Sequence, residues 1–156
     1  MSVITFIRHG QANSSATTEE GYDNLSNLGK IQARWLGEHL RHCKVTYDAV
    51  YTGTLNRQID TEALLDLHDS PDPIQDPRLN EIRYYDLIAA MEKQFGLKHP
   101  LEGTGFINHF LNTFTKWKSG ELKDIPETWV NYENRVWTIM EDMRHSGQNV
   151  LAVTSG

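Results

Sequence analysis

Val3-Ile4-Thr5-Phe6-Ile7-Arg8-His9-Gly10 is the stretch on which the reading of this chain turns. Its first five residues are β-branched or aromatic, the composition of a short buried strand. The three that follow are chemical. Gly10 permits backbone geometry that other residues resist. Arg8 offers a planar fork matched to a pair of phosphate oxygens. His9 is a nucleophile near neutral pH when its imidazole is uncharged. A strand that delivers such a triplet at its exit suggests a sheet whose strand ends carry the function.

A chain of 156 residues with 38% hydrophobic content fits one domain around one core. Its net charge of −6 argues against non-specific nucleic-acid binding, so a phosphate pocket would be a local basic spot on an acidic protein. Cys43 is the only cysteine, which excludes an internal disulfide, and it is read as a buried structural thiol. No apolar run approaches the ~20 residues a membrane span needs, and no signal peptide is visible. The expected compartment is the cytoplasm, with no membrane partner. The sequons at Asn13 and Asn24 are read as chance.

Residues 11 to 25 are polar and read as one long loop, the kind of segment that carries function. Ser26 reads as an N-cap. Leu28, Ile31, Trp35, Leu36, Leu40 and Cys43 then form an apolar stripe at helical spacing. His39 and His42 on that helix are read as solvated residues favoured by the C-terminal dipole, not as metal ligands. A second strand is expected over 47–51 and a helix over 55–67, with Leu55, Ile59, Ala63, Leu64 and Leu67 facing the core. Arg57 falls in the first turn of that helix, where the dipole disfavours a cation unless an anion sits beside it. A short third strand is expected at 74–76. Residues 84 to 127 read as an insertion with helices over 85–95 and 104–118, the second carrying an aromatic stripe of Phe106, Phe110, Phe114 and Trp117. A long helix from Trp129 to about Arg144 and a near-continuous apolar strand, Asn149 to Thr154, complete the chain. That continuity suits a parallel strand covered on both faces. The order predicts a three-layer α/β domain with a mainly parallel central sheet flanked by helices.

Ligands in such sheets bind beyond the carboxyl ends of the strands. Arg8 and His9 follow the first strand, Arg57 follows the second by one turn, and Ser155 follows the last. If these strands are neighbours, two arginines, an imidazole and a helix N-terminus enclose a space for a tetrahedral anion, with a phosphoryl group the best fit.

With these residues in view, the sequence resembles the histidine phosphatase superfamily, the phosphoglycerate mutase-like proteins. The resemblance runs through Arg8-His9-Gly10-Gln11-Ala12, Leu25 to Ala33, Tyr51 to Gln58 with Thr61, Leu79-Asn80-Glu81, and Val150 to Gly156. It implies that His9 takes the phosphoryl group as a phosphohistidine, that Arg8, Arg57 and Ser155 bind the phosphate, and that Glu81 serves as general acid and base. Read alone, Glu81 is a solvated surface carboxylate. Gln11, Asn13, Ser15 and Tyr84 are the candidate substrate contacts. The scheme uses no metal and no other cofactor. The expected function is phosphomonoester hydrolysis on a small phosphorylated substrate, with inorganic phosphate as product ligand, and a homodimer is left open. Phosphoglycerate mutase activity is the less favoured reading.

Two departures matter. Ser155 stands where the family usually has a second His, although a branch of the family carries Thr-Ser-Gly there. Exchanging a charge-assisted hydrogen bond (~1.5–3 kcal/mol) for a neutral one (~0.5–1.5 kcal/mol) costs roughly 1–2 kcal/mol, or about 5- to 30-fold in rate. A weakly active or inactive phosphate-binding relative is therefore the alternative. Family members also continue past the last motif with another helix and strand. The chain is expected to be a single domain, truncated at its C-terminus, with Ser15 where the family has Asn.

Overall fold

The structure, a computed structural model, describes residues 2–100 and 103–155. Four strands form one parallel sheet in the order β1-β4-β2-β3: β1 (Val3–Arg8), β2 (Ala49–Thr52), β3 (Ile74–Gln75) and β4 (Asn149–Thr154). The helices are α1 (Glu19–Tyr22), α2 (Asn27–His42), α3 (Asn56–Leu65), α4 (Tyr84–Phe95), α5 (Gly103–Lys118) and α6 (Trp129–His145). The three-layer α/β expectation holds, and so do the two helices between 84 and 127.

The apolar run of β4 is the centre of the molecule's first compact unit, residues 1–81 and 136–156. Strand alternation sends Leu151 and Val153 to one face, where they meet Ile7, Val50 and Leu65 with Leu36 and Leu40 of α2. It sends Val150 and Ala152 to the other face, against Ile139 and Met143 of α6. Both faces are covered, so β4 is a buried central strand.

Only part of the apolar stripe of α2 faces inward: Leu36 and Leu40 pack on the core and the rest does not. Leu28, Ile31 and Trp35 are exposed, and so is Cys43, which is therefore not a buried structural thiol. Gly29, Ala33 and Gly37 are buried in their place. A Cβ on Gly29 would run into the backbone of Gln11, and one on Gly37 into the carbonyl of Leu65. Backbone-to-backbone approach selects this stripe of small residues, and a hydrophobicity pattern cannot show it. Helix α3 departs in a related way. Its buried face is Arg57, Gln58, Thr61 and Leu65, while Ala63 is exposed. Polar side chains are buried there because each is paired with groups from other segments.

The second unit, residues 82–135, has its own core. Leu87, Ala90, Met91, Trp117 and Leu122 pack together with Phe114, Trp129 and Tyr132 against them. The aromatic stripe of α5 is only partly core: Trp117 is buried, whereas Phe110 is exposed and His109 and Thr113 are buried in its stead.

The segment over 11–25 is a closed loop with a short helix in it. Ala12 and Leu25 form an antiparallel bridge at its base, and α1 is capped by Thr18, whose Oγ1 accepts from Gly21 N.

The Gly29 contact gives a test. Ala is favoured over Gly in a helix by ~1 kcal/mol, but here the added methyl meets backbone that cannot rotate away. Gly29→Ala should lower unfolding free energy by about 2 kcal/mol, the overpacking penalty, in urea titration.

Candidate active site

Four chain segments of the first unit converge at the carboxyl end of the sheet. His9 leaves β1 and is fastened by its own backbone, whose N–H donates to Thr154 O of β4 at 2.9 Å. Gly10 N donates to Thr61 Oγ1 of α3 at 3.0 Å. The imidazole is buried, 6% exposed. Its Nδ1 donates to the carbonyl of Gly10 at 2.7 Å, which leaves Nε2 with a lone pair. Arg57 Nε donates to that lone pair at 3.3 Å. The two bonds together assign the neutral tautomer with Nε2 as the unprotonated nitrogen. Burial pushes the His9 pKa below the ordinary 6.5. The Gly10 carbonyl opposes that shift, Arg57 adds to it, Glu81 opposes it and Arg8 adds to it.

Arg57 lies in the first turn of α3 and is 2% exposed. The anion its position calls for is a pair of carboxylates. Its Nη2 donates to Glu81 Oε2 at 2.8 Å, and its Nη1 donates to Asp23 Oδ1 at 3.1 Å. Tyr22 lies against the guanidinium, ring centroid to Cζ 4.9 Å. Glu81 reaches this place through a braced turn. Asp76 caps the 3₁₀ segment Pro77–Leu79, and Arg78 pairs with both Asp76 and Asp142 of α6 at 2.7 Å. Hydrogen bonds from Arg78 hold the Asp76 carboxyl below its usual pKa. Asn80 then clasps Thr54 by two bonds of 2.7 Å, tying the turn before Glu81 to the loop that leads into α3.

Ser155 follows β4, and its Oγ accepts from Gln58 Nε2 at 3.0 Å. Gln58 is fully buried and also donates to Leu79 O. The Ser155 hydroxyl thus keeps its proton to donate elsewhere. Arg8 is exposed and lines a cleft of about 360 Å³ with His9, Gln11, Ser14, Tyr22 and Gln32. Among the described residues, its guanidinium makes no hydrogen bond.

Arg8, His9, Arg57, Glu81 and Ser155 therefore meet at one rim. Gln11 lines the cleft and its Oε1 accepts from Ser26 Oγ at 2.9 Å. Asn13 and Ser15 bond to each other at 2.8 Å, and Asn13 Nδ2 donates to Gly21 O, so both serve the closed loop. Ser14 is the serine in the cleft. Tyr84 belongs to the second unit, where it packs against Phe110 at 5.5 Å and its buried hydroxyl has no hydrogen-bond partner among the described residues. Sequence reasoning missed Asp23, Tyr22, Gln32 and Gln58. The one available signal for Asp23 was Arg57 itself, a cation at a helix start with no anion yet assigned to it.

The parallel sheet thus gathers a neutral imidazole and a buried guanidinium at its strand ends. The chain belongs to the histidine phosphatase superfamily, branch 1, whose sequence profile it matches over residues 4–156. Solved structures share the fold. The alpha-ribazole phosphatase of Shigella flexneri superposes with a TM-score of 0.63 at 19% identity, over 97% of this chain and 73% of that one. A phosphoserine phosphatase from Entamoeba histolytica gives 0.63 at 17% identity, over 99% and 74%. A mycobacterial glucosyl-3-phosphoglycerate phosphatase, determined with VO3, gives 0.60 at 20% identity, over 97% and 74%. No curated protein sequence matches the chain. No helix of the described residues is long and apolar enough to cross a membrane.

The His9 shift has a consequence for stability. Between its lowered folded pKa and 6.5, the unfolded chain binds more protons than the native one. His9 should therefore cost native stability as pH falls below 6.5, levelling off beneath the folded value. Denaturation between pH 7.5 and 5 should show a shallower decline for His9→Gln than for the wild type.

Proposed function

We propose that the protein hydrolyses small phosphomonoesters through a phosphohistidine on His9. The observation that carries this reading is the pair of bonds on the imidazole. Nδ1–H is committed to the Gly10 carbonyl at 2.7 Å, and the Nε2 lone pair faces Arg57 Nε at 3.3 Å. A phosphoryl group bound where Arg57 now meets Glu81 would lie in front of that lone pair. The related folds include phosphatases named for alpha-ribazole phosphate, phosphoserine and glucosyl-3-phosphoglycerate chemistry, all phosphomonoesters.

The steps follow from charge. The dianionic phosphoryl oxygens take over Arg57 Nη2 and Nε, and Arg8 and the Ser155 hydroxyl supply further donors. Glu81 leaves Arg57 and takes up a proton. His9 Nε2 attacks phosphorus as the ester P–O bond breaks, and Glu81 gives its proton to the departing oxygen. Water then attacks the phosphohistidine, its proton returns to Glu81, and inorganic phosphate leaves with His9 restored. Little covalent work falls to the protein. Positioning and charge stabilisation by the arginines supply most of the rate.

The test uses p-nitrophenyl phosphate and an alkyl phosphate. His9→Ala should abolish turnover and an acid-labile phosphoenzyme trapped by rapid quench. Arg57→Ala should lower kcat about 10²–10³-fold, the typical loss of an oxyanion donor. Glu81→Gln should cost the alkyl phosphate about 10²–10⁴-fold, the range of general acid catalysis, and the nitrophenyl ester, whose leaving group needs no proton, far less. Equal turnover by His9→Ala and wild type overturns the reading. Phosphate binding without turnover favours a silent phosphate-binding protein, with Ser155 in place of a cationic donor as its cause.

A further inference from the structure

Helix α3 starts without a cap of its own. Leu55 occupies the N-cap position and has no side-chain acceptor. The acceptor comes from 33 residues away in sequence: Asp23 Oδ2 accepts from Asn56 N at 3.0 Å. Asp23 Oδ1 accepts from Arg57 N at 3.2 Å and from Arg57 Nη1 at 3.1 Å. One carboxylate thus holds both the backbone and the guanidinium of the same arginine. The two carboxylates on Arg57 are not equivalent. Asp23 has two backbone donors at a helix N-terminus as well as the guanidinium. Glu81 has Arg57 Nη2 as its one hydrogen-bond donor among the described residues.

We propose that Asp23 is the positioning residue of the site. It fixes the rotation of the Arg57 guanidinium through Nη1, so that Nε and Nη2, now on His9 and Glu81, are the edge offered to the phosphoryl oxygens. It stays bound to Arg57 and the α3 backbone through the reaction while Glu81 departs and returns. The proposal rests on the phosphatase reading above. An arginine side chain has several rotors to freeze, and Asp23 freezes the last of them against the helix backbone. Tyr22, one residue earlier, closes the face of the same guanidinium. The closed loop over 11–25 therefore contributes to catalysis through Arg57, without Asp23 needing to touch substrate.

A double-mutant cycle tests this. kcat and KM for p-nitrophenyl phosphate, the vanadate Kd from calorimetry and the melting temperature are measured for wild type, Asp23→Ala, Arg57→Ala and the double variant. Asp23→Ala should lower kcat about 10- to 100-fold, the cost of a misplaced catalytic group, with a smaller change in KM. In the Arg57→Ala background the same substitution should change kcat less than about threefold, because there is no guanidinium left to position. Asp23→Asn keeps an oxygen for Arg57 and should recover most of the loss. It carries the cycle should Asp23→Ala not fold. Equal losses in both backgrounds overturn the proposal and assign Asp23 to the loop alone, as does an unchanged kcat in Asp23→Ala. A wild type that binds vanadate without turnover overturns the phosphatase reading only. The cycle is then read on vanadate Kd, with the same non-additivity expected. A wild type that neither turns over nor binds vanadate overturns both.

Discussion

A guanidinium that is 2% exposed is the constraint on which this structure depends. A buried charge is tolerated only when its donors are paired. Arg57 pairs in three directions, with an imidazole, an aspartate and a glutamate. Each partner comes from a different segment, so the pairing dictates which loops must meet. The sheet order makes it feasible: β4 lies between β1 and β2, which sets His9 and the start of α3 on either side of its carboxyl end. The rest of the buried face of α3 follows the same logic. Gln58 and Thr61 are each fully or nearly fully buried, and each has its polar atoms satisfied, by Leu79 and Ser155 and by Gly10 and Arg57. Replacing this face with apolar residues would make a more ordinary core and remove the site.

That distribution explains what was legible in the sequence. The apolar run Val150–Val153 announces a strand covered twice, and its two alternating faces are what the packing uses. The ends of α4, α5 and α6 were legible because capping and periodicity are local. The inward faces of α2 and α3 were legible only in part, at Leu36, Leu40 and, just past the end of α3, Leu67, since hydrophobicity does not choose the rest. Gly29 and Gly37 are inward because backbones touch there, and Arg57 and Gln58 because polar partners from other segments meet them there. Trp35 and Cys43 were assigned to the core by the same pattern and lie outside it. Asp23 illustrates a harder limit. Among Glu19, Glu20 and Asn24 nothing local sets it apart, and its role exists only once the loop has closed through Ala12 and Leu25.

The charge count of the rim bears on how an acidic protein holds a dianion. Arg8 and Arg57 contribute two positive charges, Asp23 and Glu81 two negative ones, and His9 is neutral. The resting site is balanced, which suits burial on a chain of net charge −6. A phosphoryl dianion arriving at that site would be repelled by Glu81 on the guanidinium it needs. In the proposed reaction Glu81 yields Nη2 to the phosphoryl oxygens and turns to the leaving oxygen, so binding and acid catalysis draw on one displacement. Burial of the imidazole lowers the pKa of His9 and so favours the neutral form that the proposed attack on phosphorus uses, even though the same burial costs stability in acid.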